Sequence, residues 1–408
     1  MNEYKSIPIG MEDFKEVIDK NCYLVDKTLL IKDILDGGAK VTLFTRPRRF
    51  GKTLNMSMLR RFFEKTEEDH SYLFNGLAIT KTGDKYQSHM GQYPVISISL
   101  KSMKQSDYQE AFSEFKNMIS KEIWRHKELL VADKLMPLSR KKLEMICNDT
   151  ADNSVYNTAL KLLSDCLYEV YGKKVIVLID EYDVPLENAY FNGFYDKMIN
   201  LIRSVFESVL KTNDSLEFGV LTGCLRISKE SIFTGLNNLN VHSITDNAFS
   251  QYFGFTEQEV KQLADYYGLS NCFDTIKTWY DGYMFGKTEI YNPWSVLKYI
   301  QASLSGDGDI PDAYWVNTSS NSIIHELITK SDRRIREDIE KLVKEDTIDK
   351  PLYQDITYVN MNVKSEYIWS FLLHTGYLKS ARIYKKGIQT YFTAVIPNLE
   401  IVTIYENT

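Results

Sequence analysis

Four short runs of apolar, largely β-branched residues punctuate the first 245 positions. They are Lys40–Thr45 (KVTLFT), Pro94–Leu100 (PVISISL), Lys174–Asp180 (KVIVLID) and Leu216–Thr222 (LEFGVLT). Each is near-continuously apolar rather than alternating, which is the pattern of strands buried on both faces of a parallel sheet. Helical spacing fills the intervals. Leu54, Met58, Leu59 and Phe62 share a side of Lys52–Phe63, and Ile199, Ile202, Phe206 and Val209 recur through Asp196–Lys211. Gln105–Leu130 and Ser154–Tyr171 are longer helical candidates, and Val241–Thr245 fits a fifth strand. Strands alternating with helices predict an α/β fold around a parallel sheet.

The character changes after about Asp246, so two regions are expected, 1–245 and 246–408. Thr256, with Glu259 three residues on and Gly268 as a stop, predicts a capped helix. Ser303–Pro311 reads as a surface loop and Ser331–Glu345 as a solvated, charged helix face. Glu366–Pro397 reads as a helix, then Gly376, then two strands joined at Lys385–Lys386–Gly387. A helix followed by a hairpin is winged-helix-like, although small repacking domains give the same string.

Composition narrows the chemistry. The 49 Lys+Arg and 55 Asp+Glu leave a formal charge of -6, which argues against a surface coated for nucleic acid but leaves room for a local basic groove. The 5 Cys are scattered without a CxxC pair, so neither a disulfide scaffold nor a cysteine zinc site is expected. No run approaches the roughly 18–20 apolar residues needed to cross a bilayer. A cytoplasmic protein with no membrane partner is the expectation.

The sharpest motif follows the first strand: Thr45-Arg46-Pro47-Arg48-Arg49-Phe50-Gly51-Lys52-Thr53, then Leu54 and a helix. A phosphate-binding loop of the form GxxxxGK[ST] sits between a strand and a helix. Gly51, Lys52 and Thr53 match it, and Arg46 stands where the first glycine would be. Backbone N–H groups at a helix N-terminus bind anionic phosphate, aided by the helix dipole. Lys52 is placed to reach the β- and γ-phosphates, and Thr53 to ligate Mg²⁺. Arg46, Arg48 and Arg49 add a cation density that suits a triphosphate, although Arg48 and Arg49 serve equally as contacts to a partner or solvent.

A second motif is the apolar run Val175–Ile179 ending in Asp180-Glu181-Tyr182-Asp183. A stiff buried strand presents carboxylates at a fixed place. Asp180 is expected to hold Mg²⁺ and Glu181 to act as the base that polarises the attacking water. Asp183 either caps the next turn or supports the site. A third is Leu221-Thr222-Gly223-Cys224-Leu225-Arg226-Ile227-Ser228-Lys229-Glu230-Ser231. Thr222, at a strand end, is a candidate sensor of the γ-phosphate. Gly223 is a turn residue, and Arg226 is a candidate for stabilising transition-state charge.

These segments resemble the predicted AAA-ATPase-like family of bacterial and archaeal P-loop proteins, and the wider archaeal-type ATPase and STAND branch. The resemblance extends through Tyr23–Thr28, Gly235–Asn238, Trp279-Tyr280-Asp281-Gly282-Tyr283 and Tyr291-Asn292-Pro293-Trp294-Ser295. It implies a P-loop NTPase of the ASCE type, with the strand ending at Thr222 lying between the phosphate-loop strand and the strand ending at Asp180. An arginine in place of the first glycine is the family's own form. Members often carry a PD-(D/E)XK nuclease-like domain further on. No D…(D/E)xK arrangement falls on a hairpin near this chain's end, so either this member lacks that domain or the chain was cut before it, and Thr408 is read as a truncation or cleavage boundary.

The expected activity is therefore a Mg²⁺-dependent ATPase acting as a switch or motor, with nucleic acid and a second copy of the chain as candidate partners. The competing readings are a P-loop phosphotransferase and a non-hydrolysing nucleotide- or DNA-binding module. Tyr23 and Phe14 serve either to stack on a base or to fill a core. Trp279–Gly282 and Asn292–Trp294 are expected mainly to pack the second region.

Overall fold

Burial on both faces decides the central sheet. In the computed structural model, which describes residues 4–211, 213–227, 232–233, 238–308, 310–315, 333–358 and 365–406, the first five strands are β1 (Val41–Thr45), β2 (Val95–Ser99), β3 (Val175–Asp180), β4 (Leu216–Gly223) and β5 (Leu239–His242). They form one parallel sheet in the order β2-β3-β4-β1-β5. Every residue of β1 and β3 is buried, as their unbroken apolar sequence requires. β4 lies between β3 and β1, the place implied by the resemblance. The fifth strand begins two residues before its expected start and ends at His242.

β2 is an edge strand, and two of its backbone groups are taken up by side chains of the helix Tyr108–Arg125 and the residue after it. Ser97 N donates to Glu122 Oε1 at 2.7 Å, while Val95 O accepts from Arg125 and, at 3.1 Å, from His126 Nε2. Arg125 also bridges the carboxylates of Glu122 and Glu64. Two of the edge groups that would template pairing with another chain are thus occupied.

The helix Lys52–Phe63 forms over the expected residues. The candidate Gln105–Leu130 becomes Tyr108–Arg125, capped by Asp107 Oδ1 on Gln109 N and Glu110 N, followed by a 3₁₀ turn at Lys127–Val131. Ser154–Tyr171 splits into Asn153–Tyr156 and Ala159–Tyr171. Asp196–Lys211 becomes Tyr195–Phe206 plus a π turn, Glu207–Lys211.

The chain divides into two compact units. One comprises Asp26–Phe44 and Asn55–Val241 and carries most of the parallel sheet. The other comprises Met1–Val25, Thr45–Leu54 and His242–Thr408. The second unit has its own core, which includes Val260, Leu263, Tyr267, Ile276, Tyr280 and Tyr291. The N-terminal segment belongs to it. Tyr23 packs 4.8 Å from the ring of Tyr266, and Tyr267 Oη donates to Lys5 O at 2.9 Å. Phe14 is buried.

The helix Glu257–Tyr266 opens on the expected capping box. Thr256 Oγ1 accepts from Glu259 N, and Glu259 Oε2 accepts from Thr256 N at 2.7 Å. Two antiparallel sheets follow. β6 (Phe255–Thr256), β7 (Tyr283–Phe285) and β8 (Thr288–Tyr291) pair in the order β6-β8-β7. β9 (Ile348–Pro351), β10 (Lys379–Lys386) and β11 (Gln389–Val395) pair as β10-β11-β9. The helix Tyr367–Thr375, Gly376 and the β10–β11 hairpin reproduce the expected helix-then-hairpin, with β9 as a further strand.

One reading of this region is corrected. Ser303–Ser305 continue the helix Pro293–Ser305, so the loop begins only at Gly306. The charged helix, described as Arg333–Val343, exposes Arg333, Arg334, Arg336, Glu337, Glu340 and Lys341 as the expected solvated face and buries Ile335, Ile339 and Leu342 on the other. Residues 331–332 lie outside the described residues. Among the described residues no helix is long and apolar enough to cross a membrane.

One buried acid in the second unit gives its stability a pH dependence. Glu400 is fully buried, accepts from Ser295 Oγ at 2.8 and 2.9 Å and from Trp315 N at 2.8 Å, and is pushed up to about 7 by burial. A carboxyl whose folded pKa is raised contributes stability below its unfolded pKa and loses it as pH rises toward 7. Glu400→Gln is expected to flatten this decline. Denaturation from pH 4 to 8 should show the parent losing on the order of 3 kcal/mol relative to the variant.

Candidate functional site

β1 ends at Thr45, and the chain then enters the basic loop. Gly51 has φ of 78°, a left-handed conformation open to glycine, and it delivers the chain to the helix starting at Lys52. Lys52 is 3% exposed, and its Nζ donates to Arg46 O and Pro47 O, each at 3.1 Å. The lysine therefore folds back across the loop that precedes it. Thr53 and Leu54 follow on the first helical turn, half-buried.

The loop residues have different fates. Arg46 is fully buried. Its Nη1 donates to Thr45 O and His242 O at 2.8 Å, and its Nη2 to Phe249 O at 3.4 Å. The rings of Phe253 and Phe285 each lie 5.2 Å from its guanidinium carbon. Burial pushes its pKa down to about 9, partly offset by Asp246, which leaves it cationic at neutral pH. The same burial, with Arg46 alongside, lowers the pKa of His242 against the opposing pull of Asp246.

Pro47 is buried and Arg48 half-buried. Arg49 is exposed, has φ of 69°, and lays its guanidinium 4.4 Å from the ring centre of Trp294. Phe50 is buried against Tyr283 and Phe285, at 4.9 and 5.3 Å, and its carbonyl accepts from Gly254 N at 3.1 Å.

In the other unit, the polar ends of β3 and β4 form a second cluster. Asp180 is 4% exposed and accepts a hydrogen bond from the Oγ1 of Thr222, itself fully buried. Glu181 is half-buried and has φ of 53°. For a side chain without local stabilisation this is a strained backbone, and such strain is commonly found where a side chain must be aimed.

Tyr182 N donates to Thr222 O at 3.0 Å. The buried Tyr182 hydroxyl donates to Leu225 O and accepts from Ile227 N at 3.1 Å. Asp183 Oδ2 accepts from Cys224 N at 2.8 Å and Leu225 N at 2.9 Å. Asp183 thus caps the turn after β4 rather than the helix Val184–Phe191 that it precedes, in which its side chain makes no cap bond. Arg226 is half-buried just beyond that turn. Residues 228–231 and 234–237, which carry part of the third motif and of the resemblance, lie outside the described residues.

Several partners carried no recognisable signal in the sequence. Nothing in the string marks His242, Phe249, Phe253, Gly254 and Phe285 as neighbours of the loop, because they follow it by some 200 positions. Asn292 and Trp294 do pack their own region, as expected. Asn292 Oδ1 caps Trp294 N at 2.9 Å, and Trp294 Nε1 donates to Tyr314 O at 3.1 Å. Trp294 also carries Arg49. Tyr23 and Phe14 serve the core of their unit.

Among the described residues no group of three or more His, Cys, Asp or Glu could hold a metal by itself. A buried carboxylate paired with a hydroxyl still fits a hard cation bound partly through water and phosphate oxygens.

Gly223 is required for space, not for an unusual φ. A Cβ there would lie 2.5 Å from a ring carbon of Tyr182 and 2.7 Å from Asp183 Oδ1. Gly223→Ala is expected to destabilise the fold by about 1–3 kcal/mol. A urea midpoint matching the parent would refute that account.

Comparison with known proteins comes from two matches. The sequence model of the AAA-ATPase-like family, described as Predicted AAA-ATPase, matches residues 8–233. An uncharacterized protein from the vnfD 5' region of Azotobacter chroococcum mcd 1 is 26% identical over 402 residues, covering 97% of this chain and 68% of that relative.

Proposed function

The chain belongs to the family of predicted AAA-ATPases, and on that premise we propose that it binds ATP with Mg²⁺ and hydrolyses it. The observation that carries this reading is the buried Asp180–Thr222 pair at the ends of two adjacent parallel strands, with Glu181 next in the chain at positive φ. Ligands of open α/β sheets bind beyond the carboxyl ends of the strands.

In this reading the backbone N–H groups of Arg48 to Leu54 receive the phosphates, favoured by the dipole of the helix they open, and Arg46 and Pro47, which has no N–H, form the start of the loop. Lys52 exchanges its two loop carbonyls for phosphate oxygens. Thr53 and Asp180 would hold Mg²⁺, which would supply charge neutralisation. Thr222 keeps the Asp180 carboxylate oriented and is placed to sense the γ-phosphate. Glu181 takes the proton of a water that attacks the γ-phosphorus in line, and ADP leaves with the bridging oxygen. Arg226 stabilises the charge that develops on the transferred group. Arg48 and Arg49 add to the field that attracts the triphosphate.

We propose further that the ATPase activity, carried by motifs within residues 1–245, drives a switch or motor in the cytoplasm. Region 246–408, with a winged-helix-like end, would transmit it. The hairpin β10–β11 carries Lys379, Arg382, Lys385 and Lys386 and no acidic residue, which supports nucleic acid as a partner of this region. Coupling to a nuclease-like domain and assembly with a second copy belong to the same proposal.

Lys52→Ala is expected to abolish ATP binding. Glu181→Gln is expected to bind ATP like the parent while phosphate release falls about a hundredfold or more. Chelating Mg²⁺ should stop release in the parent. Parental turnover by Glu181→Gln would remove its assignment as base.

A further inference from the structure

The position that departs from the usual phosphate-loop pattern is fully buried, as is Phe50 in the same loop. A glycine there would let the backbone turn freely. Arg46 instead turns its side chain into its own unit, where three backbone carbonyls and two aromatic rings receive it. A guanidinium is planar with donors in a rigid fork, so contacts to Thr45, His242 and Phe249 fix its orientation as well as its place. Phe253 and Phe285 restrict what remains.

The carbonyl of this same residue accepts from Lys52 Nζ. The next residues are pinned in the same unit. Pro47 lies so close to Gly376 that a Cβ added there would sit 3.1 Å from Pro47 Cβ, and Phe50 is held by Gly254 N, Tyr283 and Phe285.

We propose that Arg46 is a positioning residue for nucleotide binding. Its buried guanidinium anchors the start of the phosphate loop to the segment His242–Phe285, and so sets the loop shape that places Lys52 and the loop amides for phosphate. The arginine does by anchoring what the first glycine of such loops does by permissiveness. It does not itself touch phosphate. The role in nucleotide binding rests on the ATP reading above. The anchoring does not, and the two can be tested apart.

The test compares the full chain with Arg46→Gln and Arg46→Lys. Backbone amide exchange is followed without nucleotide, binding of a ribose-labelled fluorescent ATP analogue is titrated, and kcat and KM are measured for ATP. In Arg46→Gln, exchange across residues 47–53 is expected to quicken about tenfold or more while the rest of the chain keeps its protection. The Kd for the analogue is expected to rise about ten- to a hundredfold, with KM rising more than kcat falls. Arg46→Lys keeps the charge but not the fork, and should fall between.

Parental exchange in 47–53, or faster exchange spread evenly over the chain with an unchanged Kd, would overturn the proposal. If Arg46→Gln fails to fold, Phe253→Leu decides: faster exchange confined to 47–53 supports the anchor, and parental exchange there removes it. A parent that fails to bind the analogue defeats the ATP reading alone, and the exchange comparison still decides the anchoring.

Discussion

No charged residue precedes the last position of β1 or β3, because both strands are buried along their whole length. β1 and β3 have no exposed residue, and a charge placed within them would lose its hydration with nothing to replace it. The first residue of β3 that can carry charge is its last, Asp180, which accepts from the hydroxyl of Thr222 one strand away. Chemistry at the strand ends follows from the solvation of the sheet.

The turn after β4 shows how closely that edge is packed. Tyr182 and Asp183 follow the strained Glu181 and reach across to the backbone of residues 224–227 through four hydrogen bonds. The buried tyrosine ring leaves no room for a side chain at Gly223. These contacts fix the backbone that follows Glu181.

The basic loop is organised by a different balance. A cation in an apolar setting is costly unless its donors are satisfied; Arg46 places Nη1 and Nη2 on backbone carbonyls and its guanidinium beside two rings rather than a carboxylate, while its Nε has no hydrogen-bond partner among the described residues. Carbonyls leave the arginine's charge unneutralised, so the positive field of the loop is retained. Its neighbours divide the remaining tasks: Phe50 fills a core, Arg49 covers Trp294, and Lys52 spans the loop. Three arginines that look alike in the string therefore differ in burial, partner and consequence.

Much was legible in the sequence because it depends on local periodicity. The buried strands, the helix after Gly51, the Thr256–Glu259 capping box and the helix-then-hairpin near the end all follow from spacing and composition within windows of ten or twenty residues. The order β2-β3-β4-β1-β5 came only through a resemblance, since periodicity does not say which strand lies beside which. The string also could not show that Arg46 is buried, that Asp183 serves the turn after β4 rather than its own helix, or that the first 25 residues join the unit of the last 167. Those outcomes depend on contacts between residues tens to hundreds of positions apart. Sequence determined the elements and the residue types at their ends; tertiary packing decided which of those polar groups face each other and which are consumed in holding the loop.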